Sequence, residues 1–367
     1  MMALVQSLKE FNKLSAIPFG ISSNSIEQHS EFAKNHNLSI NLLADPDNSV
    51  IKTYTGTSKI GTVSSRQSFL IDPQGILRKI YNPVNAFSHA EEVLSDLKTL
   101  TEVIDQLGLL KRRQREMQDS INAASRIQNA LLPNLKSILP INFGISLFYK
   151  PLEKIGGDCF WSKFNNDNKY WLGLFDCTGH GVPGAFITMV LLSGIQRIVA
   201  QNHEITPVVL LKMIDEYLLE IFQTEEDKFA SSGAEGAIVC FDNHKKSISF
   251  AGAKRPLWVQ DKNGKVSEIK SQRRILGQIP KIDAWEEKEI SIENISRIFL
   301  FSDGITDEGN IESFSFGKER LEELLSSNIK TSIDSIPNII SRSLKKWRDG
   351  AQQRDDQTLI TLQLPWL

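Results

Sequence analysis

Helical and strand-like spacings of apolar residues alternate along the first 95 positions. They give way to a repeat in steps of four and three, then resume as short apolar runs that begin or end beside an aspartate. Leu4 to Leu14 reads as a helix, and Ile17-Pro18-Phe19-Gly20-Ile21-Ser22 as a short strand. A second helix is expected from Ser25, because the Ser25-x-x-Gln28 spacing is that of a capping box, which satisfies free amide groups at a helix start. A turn-rich Leu43-Ala44-Asp45-Pro46-Asp47, a strand Ser68-Phe69-Leu70-Ile71, the turn Asp72-Pro73-Gln74-Gly75 and a strand from Ile76 to Tyr81 follow. Helix and strand signals in alternation make this part α/β.

Between residues 96 and 135 the pattern changes. Val103, Leu107, Leu110, Gln114, Met117, Ile121, Ala124, Gln128 and Leu131 are spaced as one seam, with no proline before Pro133. This spacing predicts a helical linker whose apolar stripe forms a dimeric coiled coil, with Gln114 and Gln128 as weak points. The alternative is one long amphipathic helix packed on its own domain. A linker of this kind between two domains is where a rotation or register change can be transmitted.

Beyond residue 136 the chemistry-bearing residues are acids at strand ends. Asp158 lies in Gly156-Gly157-Asp158-Cys159-Phe160-Trp161. Asp176 follows the apolar Tyr170-Trp171-Leu172-Gly173-Leu174-Phe175 and precedes Cys177-Thr178-Gly179-His180-Gly181, ahead of an apolar helical run from Ala185 to Ala200. Asp303 follows Ile298-Phe299-Leu300-Phe301-Ser302, and Asp355 and Asp356 precede Gln357-Thr358-Leu359-Ile360-Thr361-Leu362. Taken singly these are turn acids or helix caps. Brought together by a sheet they would repel unless protonated or neutralised, and hard oxygen-seeking cations such as Mg²⁺ or Mn²⁺ suit such a cluster.

Composition narrows the partners. A net charge of −2 over 367 residues, with Lys111-Arg112-Arg113-Gln114-Arg115 as a local basic cluster, argues against nucleic acid, and the cluster reads as a solvated helix face. The mainly apolar run from Phe186 to Ala200 falls short of the roughly 20 residues of a membrane span. No secretory signal is recognised. Cys159, Cys177 and Cys240 lack metal-type or disulfide-type spacing, which suits a reducing compartment, and the expected location is cytoplasmic.

Two resemblances sharpen these expectations. Phe19-Gly20-Ile21-Ser22-Ser23-Asn24-Ser25, Lys34-Asn35-His36-Asn37-Leu38, Leu42-Leu43-Ala44-Asp45-Pro46 and Arg66-Gln67-Ser68-Phe69-Leu70-Ile71-Asp72-Pro73-Gln74-Gly75 together resemble the bacterioferritin-comigratory (Q-type) peroxiredoxins. The likeness implies that residues 1–95 form a truncated, thioredoxin-like α/β segment covering about the last two thirds of such a domain. Arg66 falls on the arginine with which that family activates its thiolate. Residues 1–95 contain no cysteine, however, and peroxide reduction needs a thiolate nucleophile, so no peroxidase activity is expected here. Either an upstream portion carries the missing cysteine or the segment is a sensing or packing module. A truncated sheet exposes an edge and part of a core, so it needs a partner surface.

Ile127-Gln128-Asn129-Ala130-Leu131-Leu132-Pro133, Gly156-Gly157-Asp158, Asp176-Cys177-Thr178-Gly179-His180-Gly181-Val182-Pro183-Gly184-Ala185, Phe250-Ala251-Gly252-Ala253, Phe301-Ser302-Asp303-Gly304-Ile305-Thr306-Asp307, Phe316-Gly317-Lys318-Glu319-Arg320-Leu321 and Asp355-Asp356-Gln357-Thr358 resemble the SpoIIE-like branch of the PPM (type 2C) serine/threonine phosphatases. The resemblance spans residues 125 to 365 in order. It implies that residues 136–367 form an α-β-β-α sandwich with a site for two Mg²⁺ or Mn²⁺ ions. The ligands would be Asp158, Asp176, Asp303, Asp355 and the backbone carbonyl of Cys177, with Asp356 behind them. The implied reaction is metal-assisted hydrolysis of a phosphate monoester without a protein nucleophile. The implied substrate is a phosphorylated anti-sigma-factor antagonist or similar small regulatory protein, within a partner-switching pathway. The alternative is a non-catalytic module that binds partners on a phosphatase scaffold. His180 reads as structural or exposed rather than as a catalytic acid. Lys254 and Arg255 read as solvated surface charge, with contact to a substrate phosphate as the alternative, and Glu235 as a variable polar position rather than a ligand. Ile127 to Pro133 matches the family's regulatory helix, so its docking is expected to control assembly of the metal site.

Overall fold

Phe11, Tyr81, Val93 and Leu94 bury one another in a small core beneath the first helices, and three larger apolar layers hold the rest of the chain. These come from a computed structural model that describes residues 2–55, 66–138, 143–165, 169–202, 204–222, 232–279 and 284–364. The described residues divide into two units, 1–116 and 117–367.

The first unit contains α1 (Met2–Gln6), α2 (Leu8–Lys13), β1 (Phe19–Ser22), α3 (Ile26–Asn35), β2 (Asn41–Ala44), α4 (Ser49–Thr55), β3 (Ser68–Ile71), β4 (Leu77–Tyr81) and the start of α5 (His89–Leu131). The capping box forms: Ser25 Oγ accepts from Gln28 N at 3.3 Å, and Gln28 Oε1 accepts from Ser25 N at 3.0 Å. β1 pairs in parallel with β2, and β3 antiparallel with β4, as separate two-stranded sheets. Phe19, Ile21 and Leu43 lie exposed on one face of the β1–β2 pair, because Ile21 stands opposite Leu43. Arg66 is exposed.

Helix α5 is one uninterrupted helix of 43 residues that starts earlier than the expected linker. The second unit continues with α6 (Leu135–Ile138), β5 (Gly144–Lys150), β6 (Asp158–Phe164), β7 (Lys169–Cys177), α7 (Gly181–Gln201), α8 (Pro207–Phe222), β8 (Ala234–Asp242), β9 (Ser247–Ala253), β10 (Leu257–Asp261), β11 (Val266–Ile269), β12 (Lys288–Ser291), β13 (Ile295–Phe301), α9 (Asp303–Thr306), α10 (Lys318–Ser327), α11 (Ile336–Arg348) and β14 (Gln357–Gln363). One five-stranded sheet runs β12-β9-β8-β7-β6 and the other β11-β10-β13-β14-β5. All pairings within them are antiparallel.

Alternation along the central strands explains the layers. Trp171 and Phe175 of β7 face α7 and α8 through Leu191, Leu192, Ile195, Leu210 and Ile214, whereas Tyr170, Leu172 and Leu174 face the other sheet. Ile298 and Leu300 of β13 meet them there, while Phe299 and Phe301 pack outward on Leu321, Leu325, Ile340 and Leu344 of α10 and α11. Both faces of each sheet are covered, so these strands read as continuous apolar runs. Each fully buried Leu, Ile or Phe contributes about 1.5–3 kcal/mol. The result is the α-β-β-α sandwich. Helix α7 is longer than the Phe186–Ala200 run, and by length and composition alone it could cross a membrane. Its most apolar window is 50% buried, as in an inner helix of the layer.

Candidate metal and active site

The acids converge because three adjacent strands deliver them in register. Asp158, the first residue of β6, stands opposite Asp176 of β7, and Asp176 stands opposite Glu235 of β8. Residues directly opposite share one face of a sheet, so three carboxylates form a row at its end, an arrangement that destabilises itself unless it is countered. The second sheet closes over this row. Ser302 and Asp303 follow β13, and Asp355 and Asp356 precede β14, at adjacent ends of paired strands. Ser302 N donates to Thr358 O at 3.0 Å and locks those ends together.

Asp158 ties the sheets to each other. Its Oδ2 accepts the Ser302 hydroxyl at 2.6 Å and the Thr358 hydroxyl at 2.5 Å, while its Oδ1 is buried without a hydrogen-bond partner. Burial pushes its carboxyl up to about 7, against the pull of the two hydroxyls. Burial also lifts Asp176 well above the ordinary carboxylate range, and the charges of Asp158, Asp303 and Asp355 add to it. Burial, then nearby Asp303 and Asp356, raise Asp355 despite the bond it accepts from Asp356 N. Asp176 thus feels the other three expected acids, and the fold brings all four into one electrostatic site.

Asp356 turns to the backbone of the neighbouring loop. Its carboxylate accepts from Leu152 N at 2.7 Å and Gly157 N at 2.5 Å and so fixes the loop that leads into Asp158. This loop packs without room for side chains. A Cβ on Gly157 would stand 2.7 Å from the Cys177 carbonyl oxygen, and one on Gly184 would stand 2.1 Å from that of Gly179. The Cys177 carbonyl, the expected backbone ligand, therefore lies against Gly157, one residue from Asp158.

Arg255 departs from expectation. It is buried at 7% exposure rather than solvated. Its Nη2 lies 2.8 Å from Asp176 Oδ2, 2.9 Å from Glu235 Oε2 and 2.7 Å from Asp303 Oδ2. The cause is a turn after β9. Lys254 takes a left-handed conformation at φ 55°, which costs a non-glycine residue about 1–2 kcal/mol, and Arg255 N folds back onto Ala253 O at 2.7 Å. Burial opposes the guanidinium charge, but the carboxylates around it outweigh burial and raise its pKa. Lys254 Nζ pairs with Glu235 at 2.9 Å, so Glu235 is an ion-pair partner of both cations rather than a passive polar position.

With this guanidinium among them, no group of three or more His, Cys, Asp or Glu side chains among the described residues stands ready to hold a metal ion. The donor set nonetheless suits hard divalent cations. It is all oxygen, one buried carboxylate oxygen lacks a partner, and a cation already stands in its midst. His180 is exposed at the start of α7 and its Nδ1 pairs with Glu153 at 3.2 Å. A cleft of about 780 Å³ lined by Phe316, Arg320, Lys346 and Trp347, among others, contains none of the acids.

Gln128 also departs from expectation. It is no seam residue: it is buried, its Nε2 donating to Gly156 O at 2.7 Å and Thr188 Oγ1 at 2.9 Å, and its Oε1 accepting from Gly156 N at 3.2 Å. Ser125 Oγ donates to Lys154 O at 2.9 Å one turn earlier, so the end of α5 holds the loop before Asp158.

Residues 166–365 match the family model described as Stage II sporulation protein E (SpoIIE), and residues 1–80 match that of the AhpC/TSA family. The chain is 25% identical over 223 residues to the phosphoserine phosphatase RsbP of Bacillus subtilis (strain 168), covering 59% of this chain and 51% of RsbP. It is 35% identical over 102 residues to the chloroplastic peroxiredoxin Q of Sedum lineare, covering 27% of this chain and 54% of that protein. The chain spans about half the length of these curated relatives. Among solved structures it is similar to the SiaA-PP2C domain of Pseudomonas aeruginosa, with a TM-score of 0.59 and 26% identity, covering 69% of this chain and 98% of that one.

Proposed function

The chain belongs to the SpoIIE family, and from that premise we propose that it is a metal-dependent serine/threonine protein phosphatase, preceded by a peroxiredoxin-like segment without thiol chemistry. The observation that carries this reading is the convergence of Asp158, Asp176, Asp303 and Asp355 from two sheets on one site that already holds a buried cation. Asp158, Asp176, Asp303, Asp355 and the carbonyl of Cys177 are the proposed holders of two Mg²⁺ or Mn²⁺ ions. When bound, such a pair supplies Lewis-acid activation of water and neutralises charge on a phosphoryl group.

The protein's own part is positioning. Ser302 and Thr358 fix Asp158 in one rotamer and leave its second oxygen free for a ligand. Asp356 and Gln128 hold the backbone on either side of Gly156 and Gly157. The proposed substrate is a phosphoserine or phosphothreonine on a small regulatory protein of the anti-sigma-factor-antagonist type, in a cytoplasmic partner-switching pathway; that RsbP is a phosphoserine phosphatase supports the phosphoserine part of this reading. The guanidinium lodged among the acids is the one observation that favours the second reading, a non-catalytic partner-binding module.

Phosphate release from a phosphoserine protein with and without Mn²⁺ separates the two. The expected result is metal-dependent turnover that Asp176→Asn abolishes and Arg66→Ala leaves intact. No release at any Mn²⁺ concentration would leave the binding-module reading standing.

A further inference from the structure

Five carboxylates, those of Asp158, Asp176, Glu235, Asp303 and Asp355, gather where the two sheets meet, and Arg255 alone among the described cations is buried between them. We propose that Arg255 is the resident counter-cation of this pocket, and that a divalent metal ion binds by displacing its guanidinium from Asp176 and Asp303. This inference rests on the reading of the pocket as a metal site.

The contacts are those of a charge among ligands rather than of a forked pairing. Arginine recognises a carboxylate best with two parallel N–H bonds from different nitrogens. Here one nitrogen, with only two hydrogens to give, meets oxygens of Asp176, Glu235 and Asp303 at 2.7–2.9 Å. Arg255 Nε meanwhile is buried without a partner. The side chain thus forgoes a donor bond in order to place its charge at the centre of the acids. Nη2 keeps those oxygens 2.7–2.9 Å away, farther than the roughly 2.0–2.1 Å at which Mg²⁺ takes its oxygen ligands, so ion and guanidinium exclude one another.

Glu235 makes the exchange reversible. It is the third contact of Nη2, and Lys254 braces it from the rim. When Asp176 and Asp303 turn to a metal ion, Glu235 still neutralises Arg255, so the guanidinium need not leave the protein interior without a partner. Without Arg255 the acids would face one another uncompensated, which is costly for buried charge. Arg255 therefore stabilises the metal-free fold and weakens metal binding by the same contacts.

Calorimetric titration of the chelator-stripped full-length chain with Mn²⁺ tests this, together with melting curves taken with and without the ion. Arg255→Gln is expected to bind Mn²⁺ at least about tenfold more tightly, to melt lower when metal-free, and to gain more from Mn²⁺ than the wild type does. Arg255→Lys, which keeps the charge, is expected to stay near the wild type. Should metal-free Arg255→Gln fail to fold, Mn²⁺ release from the loaded variant is measured against a series of chelator-buffered free Mn²⁺ concentrations. Release at lower free Mn²⁺ than the wild type supports the exchange. Equal or weaker affinity in Arg255→Gln overturns it and leaves Arg255 a structural residue. Absence of Mn²⁺ binding in wild type and variant alike would instead remove the metal reading on which the inference stands.

Discussion

Thr358 and Ser302 show how much of an acid's chemistry lies in its neighbours. Both hydroxyls donate to the same oxygen of Asp158, inside a site where burial already favours the neutral carboxyl. Thr358→Val keeps the shape and removes one bond to the charged form. We expect a loss of about 1–3 kcal/mol in the urea-induced unfolding of the metal-free protein at pH 8, above the value of about 7 to which burial pushes Asp158. A change below about 0.5 kcal/mol would show that the hydroxyl does not support that charge. The aspartates themselves were legible in the sequence because each stands at one end of an apolar run, Asp158, Asp303 and Asp355 beside glycine, serine or a second aspartate and Asp176 just ahead of Gly179-His180-Gly181. Arg255 was not. Its burial depends on the left-handed turn at Lys254 and on carboxylates that arrive from strands far along the chain, and neither leaves a local pattern.

Helix α5 shows the same limit at the scale of an element. Its four-and-three spacing correctly announced a long helix, but spacing cannot tell a seam residue from one that enters a neighbouring domain. Gln128 fits the heptad and is buried on Gly156 and Thr188 instead. Gln128→Leu would strand both backbone groups of Gly156, two residues from Asp158. A misplacement of about 1 Å at a reacting centre costs on the order of a hundredfold in rate, so phosphatase turnover should fall at least tenfold, while α5 keeps its helical signal. Turnover equal to the wild type would detach the helix end from the site. At the other end of α5, His89 is buried, its Nε2 within 2.8 Å of Ser68 Oγ. Burial holds its pKa below the ordinary histidine range, with Glu92 opposing. The unfolded chain therefore binds a proton there more readily than the folded one. This contribution to stability is present above the unfolded value, about 6.5, and is lost as pH falls through the depressed folded value. The first unit should lose stability below about pH 6.5, and in His89→Gln that component of the denaturation midpoint should vanish. An unchanged pH profile in the variant would assign the loss elsewhere.

For the molecule as a whole, two units with different resemblances share a single helix, and the apolar stripe on that helix is left exposed by the described residues. Val103, Leu107 and Leu110 are 46%, 51% and 60% exposed, at heptad spacing. With these three side chains about half exposed along one face, roughly half of the 1.5–3 kcal/mol that full burial gives each is left for a second copy of the helix to recover. The first unit adds exposed apolar residues of its own at Phe19, Ile21 and Leu43, on a face of its small sheet that no described residue covers. The two surfaces differ in what they predict. If the helix stripe forms the dimer, Leu107→Glu with Leu110→Glu places like charges opposite one another across the seam and should give monomers in sedimentation at micromolar concentration. Phe19→Ser should then leave the dimer intact. If the sheet face forms it, the outcomes exchange. Monomeric wild type at tens of micromolar would remove both, and the stripe would then be a face that the isolated chain leaves wet.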